Sequence, residues 1–158
     1  MNILRESINS ENWEEIISDS GFSLAEVERF IDESYDKGYQ TRDRESKTVI
    51  ENMFITNMQQ TNQVTERLFE HLKELEIQPL AAYLKIESIS SFRLIVTVNL
   101  EDYISEKILK AYEWTIDTEM KVTSKKYRID LSFMHGDENV NIEGLNADGF
   151  RLKHKNLQ

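Results

Sequence analysis

The chain has 158 residues with 19 basic and 29 acidic side chains, a net charge of −10, 39% hydrophobic residues and no cysteine. A chain of this length and apolar content closes one ordinary core rather than staying disordered. The missing cysteines exclude disulfides, thiol catalysis, thiolate zinc sites and cysteine-held iron–sulfur clusters, and the charge opposes non-specific binding to nucleic acid or anionic lipid.

No apolar run approaches the roughly 18 residues of a spanning helix. The first fifteen residues lack the cationic flank, apolar stretch and small-residue cleavage site of a secretory leader. The expectation is a cytoplasmic protein with no membrane partner.

The acidity is concentrated in one half. Residues 1–78 hold 8 basic and 17 acidic side chains, whereas 79–158 hold 11 and 12. The only proline, Pro79, falls at the seam and disfavours helix in the residue before it. The reading is therefore an acidic helical region over 1–78 and an α+β sheet domain over 79–158.

Ser10 is placed to cap a short helix through residue 19, with Trp13, Ile16 and Ile17 on one face and Gly21 as its stop. Ser23 and Glu26 form a capping box before Leu24, Val27, Phe30 and Ile31, and Gly38 ends that second helix. A long helix follows over 41–76, about 50 Å at 1.5 Å per residue. Its stripe runs through Ile50, Met53, Phe54, Asn57, Thr61, Val64, Leu68, Leu72 and Leu75.

After Pro79 the period becomes two. Leu84 and Ile86, then Phe92, Leu94, Val96 and Val98, predict an antiparallel hairpin. Ile104, Ile108, Ala111, Tyr112, Thr115 and Ile116 predict a helix over 100–122, and Tyr127, Ile129, Leu131 and Phe133 a third strand. Asp137 is placed to cap a short helix through Leu145, and the turn at Asp148 and Gly149 leads to a last strand with Phe150 and Leu152. The fold class is α+β: a helical region with one long helix, then a ββαβ(αβ) antiparallel or mixed sheet covered by a helix.

Candidate sites are few. The helix pair at 11–37 has the proportions of a helix-turn-helix, but Glu26, Glu28, Asp32 and Glu33 against Arg29 give a recognition helix the wrong sign. Amides within the long stripe suggest a coiled-coil seam between two copies, built from Ile50, Phe54, Asn57, Thr61, Val64, Leu68 and Leu72. His71 among Glu66, Glu70 and Glu74 lacks the ligand spacing of a bundle metal site, so neither metal nor cofactor is expected. Asp130, Ser132, His135, Asp137 and Glu138 form the densest acid, base and hydroxyl group, and Phe150 to Lys155 suggests a basic edge strand.

These features favour a non-catalytic interaction protein, dimeric through the long helix. It would meet a basic protein partner through Glu14, Glu15, Glu28, Asp32 and Glu33, in the manner of antitoxins, immunity proteins or regulatory accessory subunits by analogy. The alternatives are a small enzyme using 130–138 and a dimeric DNA-binding regulator using 11–37.

Overall fold

A computed structural model describes residues 12–16, 24–38, 45–136 and 140–155. It is an α+β fold in which five strands form one mixed sheet. The strands are β1 (Trp13–Glu15), β2 (Pro79–Ser88), β3 (Ser91–Val98), β4 (Arg128–His135) and β5 (Phe150–His154). The helices are α1 (Leu24–Gly38), α2 (Glu45–Glu74), α3 (Leu100–Tyr103), α4 (Lys107–Val122) and α5 (Ile142–Ala147). The spatial order of the strands is β1-β5-β2-β3-β4, antiparallel throughout except that β3 and β4 run parallel. A parallel neighbour needs a crossover, and α3 and α4 supply it.

Alternation along the strands decides which face each side chain takes. Leu84 and Ile86, Phe92, Leu94 and Val96, Ile129, Leu131 and Phe133, and Leu152 all join the main core. They pack there with Val27 and Ile31 of α1, six apolar residues of α2 from Ile50 to Leu72, and Ile108 and Ala111 of α4. The opposite face carries a smaller cluster, in which Ala81, Tyr83 and Phe150 pack with Leu145 of α5. Residues of α1 and α2 thus join the sheet in one core, and Pro79, the first residue of β2, follows the turn that ends α2.

That turn has a defined cause. Glu76 takes a left-handed φ of 59°, its N–H bonds the Lys73 carbonyl, and the Ile77 N–H bonds the Leu72 carbonyl at 2.8 Å. These two bonds make a Schellman motif, in which left-handed backbone lets the chain double back while orphan carbonyls are satisfied. Leu72 and Ile77, the two positions the motif brings close, are both buried in the main core.

Three expected elements need correction. Residues 13–15 are strand where a helix was expected: Trp13 pairs with His154, and its buried ring packs edge-on to that imidazole. Pairing with β5 outweighs the local helical spacing at residues 13–15, and the rest of the expected first helix and its turn, residues 17–23, lies outside the described residues. Ser10, Gly21 and Ser23, which carried the expected caps and stop, lie outside the described residues.

The helix expected over 100–122 is two helices. Ser105 bonds back to the Asp102 carbonyl through both its N–H and its hydroxyl, closing α3 before α4 begins. Ile104 and Ile116, expected on the core face, are exposed. The strand from Phe150 lies inside the sheet between β1 and β2, so it is not an edge. The short helix before it is capped by Asn141, whose side-chain Oδ1 accepts from the Gly144 N–H; Asp137 is outside the described residues.

Candidate interaction surface

The seven residues expected to form a seam between two copies are buried inside this chain. Ile50, Phe54, Asn57, Thr61, Val64, Leu68 and Leu72 all lie between α2 and the rest of the main core. The seam amide has an internal role, because Asn57 Nδ2 donates to the carbonyls of Ile89 at 2.9 Å and Lys126 at 2.8 Å. One turn further on, the Thr61 and Tyr127 hydroxyls are 2.9 Å apart. Burial pushes the Tyr127 phenol up to about 12, with the Thr61 bond opposing the shift, so it stays protonated at neutral pH.

Beside this network lies an open pocket of about 370 Å³ between the first half of α2 and the turn ahead of β4. Met53, Asn57, Gln60, Lys126 and Tyr127 are among its walls. Its lining has no carboxylate and no histidine, so it offers hydrogen bonds and apolar contact but no acid–base pair.

The candidate catalytic segment is divided between two faces of the sheet. Asp130 and Ser132 take the parity opposite to Ile129, Leu131 and Phe133, which face the core. Asp130 meets Arg93, whose Nε lies 3.5 Å from its carboxylate, while Arg93 Nη2 lies 3.8 Å from Glu87. His135 follows the core-facing parity and is exposed at the strand end, so its ring is not brought to Asp130 and Ser132. Asp137 and Glu138 lie outside the described residues.

The acidic candidates occupy two separate elements. Glu14 and Glu15 sit on β1, whereas Glu28, Asp32 and Glu33 are exposed on α1. Asp32 holds Lys47 at 2.7 Å, which raises the ammonium above its ordinary value through that hydrogen bond and charge, and Glu33 lies 3.6 Å from Arg29. His71 stacks on Trp114 with ring centroids 5.3 Å apart, while Glu66, Glu70 and Glu74 are exposed. Among the described residues no group of three or more metal-ligating side chains is gathered, and no helix is long and apolar enough to cross a membrane.

The free side of β4 is covered by α4. The Glu119 carboxylate accepts the Leu131 N–H at 2.8 Å, and the Tyr112 hydroxyl donates to the Phe133 carbonyl at 3.3 Å. Side chains thus occupy ladder groups that an open edge would offer to another strand.

The outer face of α4 went unread in the sequence. Leu109, Ile116 and Met120 are 62%, 56% and 76% exposed, and Ile104, just ahead of the helix, is 74% exposed. The spacing 109, 116, 120 places three apolar side chains on one helical stripe, about 130° around the helix from Ile108, Ala111 and Thr115. That second stripe was present in the sequence but masked by the stronger core stripe beside it.

No protein-family model matches the chain, and neither a curated protein nor a solved structure matches it.

Proposed function

We propose that this protein acts by docking to another protein chain, with the outer face of α4 as its principal contact. One observation carries the reading: four large apolar side chains, Ile104, Leu109, Ile116 and Met120, stand 56–76% exposed along one short stretch of surface. Scattered exposed apolar residues are ordinary, but a contiguous stripe on one helix marks a contact surface. Apart from this stripe, α1 offers a separate acidic surface to a basic partner, with Glu28 exposed beside the paired Asp32 and Glu33. The same reading makes the protein a cytoplasmic, non-catalytic regulator or accessory subunit.

The test compares the tagged full chain with a variant carrying Leu109→Ser, Ile116→Ser and Met120→Ser. The exposed positions leave the fold intact, so circular dichroism and melting temperature should match the parent. Stoichiometric association with another chain, of its own or a different kind, should be lost in the variant. Association that persists unchanged moves the contact elsewhere and overturns the reading.

A further inference from the structure

The stripe on α4 is bordered on one flank by Glu106, Lys110, Asp117 and Lys121, spaced so that all four lie along the same side of the helix. Glu106, Lys110, Asp117 and Lys121 are exposed, and Asp117 already lies 2.8 Å from Lys121. Their order along the helix is acid, base, acid, base. Such a row is self-complementary when it meets a copy of itself running the other way.

Resting on the docking reading above, we infer that the chain seated on this stripe is a second copy of this protein, with the two α4 helices antiparallel. A two-fold axis level with Trp114 sets Leu109 against the partner's Met120, Lys110 against the partner's Asp117, and Glu106 against the partner's Lys121. Each contact occurs twice, as an isologous interface requires. The opposite flank of α4 is held on β4 by Tyr112 and Glu119, which leaves the stripe and its charged flank facing outward.

The pairing is modest in extent. A helix of 16 residues spans about 24 Å, so α4 against α4 with Ile104 at each end falls at the small end of specific interfaces. Glu113 adds a further constraint. It lies beside the stripe near the axis, where the carboxylates of the two copies approach each other and oppose association.

The experiment is sedimentation equilibrium of the full chain from about 1 μM to about 1 mM, the span in which an interface of this size associates. The expected result is a reversible shift from 18.6 kDa to twice that mass. Ile116→Asp should weaken the association about tenfold or more, because it carries a charge into an apolar contact. Glu113→Gln should strengthen it several-fold. Lys110→Glu should weaken it, and Lys110→Glu combined with Asp117→Lys should restore it, since only antiparallel self-pairing brings those two positions together.

A chain that stays monomeric to about 1 mM overturns the second copy as occupant. A dimer indifferent to Ile116→Asp and to the charge exchange overturns it equally. If a monomer still binds a different protein through Leu109, Ile116 and Met120, the docking reading stands and only the self-pairing fails.

Discussion

The Asn57 side-chain amide donates to the Lys126 carbonyl at 2.8 Å, joining the middle of α2 to the turn ahead of β4 across 69 residues of sequence. Its second donor contact, to the Ile89 carbonyl, ties the same point of the helix to the β2–β3 turn. The residue is 4% exposed and its bond to Ile89 is buried, so water does not replace that bond. Asn57→Leu leaves two carbonyls without their donor and should cost about 2–4 kcal/mol, seen as a lower urea midpoint at unchanged slope.

Glu76 carries a left-handed φ of 59° in the motif that ends α2. A side chain there costs energy that glycine does not incur, while its Nα and the Ile77 Nα keep their bonds in either case. Glu76→Gly should therefore stabilise the protein by up to about 1 kcal/mol, net of the greater backbone freedom that glycine has when unfolded. Thermal unfolding of the two proteins under one buffer checks the sign.

His154 is buried between the rings of Trp13 and Phe69, with centroids 5.1 and 4.9 Å away and both contacts edge-on. Burial lowers its pKa below the ordinary 6.5, so the folded protein favours the neutral ring. Its contribution to stability is whole above 6.5 and is lost as the pH falls from there through the folded value. Urea unfolding followed from pH 8 to pH 5 should show this decline, and His154→Phe should flatten it.

Glu119 shifts the other way. Burial raises its carboxyl above the ordinary 4.5, the Leu131 N–H opposes the shift, and nearby Asp130 adds to it. Its contribution is whole below 4.5 and is lost as the pH rises through the folded value. Glu119→Gln keeps an acceptor for Leu131 without the charge, so its stability relative to the parent should improve between pH 4 and pH 7. Removing both covering groups, with Glu119→Ala and Tyr112→Phe, should instead raise aggregation on prolonged incubation, because β4 then exposes unpaired ladder groups.

Local pattern was sufficient for the elements that carry their own period. The alternation through Ile129, Leu131 and Phe133 and the threes and fours from Ile50 to Leu72 predict a strand and a helix that the structure contains. These signals are legible because each residue faces the core from its own element, and burial depends only on apolar side chains recurring at the right interval. Glu28, Asp32 and Glu33 of α1 were equally legible as exposed, since charge is costly to bury.

Long-range pairing decided the rest. Trp13 to Glu15 is a strand because Leu152 to His154 lies alongside it, and that strand in turn is interior because β1 and β2 flank it. Asn57 and Thr61 resemble a polar seam for a second helix until the carbonyls of Ile89 and Lys126 and the hydroxyl of Tyr127 come within bonding distance. Likewise, the outer stripe of α4 becomes a surface only once β4 and α2 have taken up the inner one. Each outcome depends on groups in different elements, separated by 12 to more than 100 residues, and periodicity within one element holds no information about which backbone elsewhere will satisfy its polar groups.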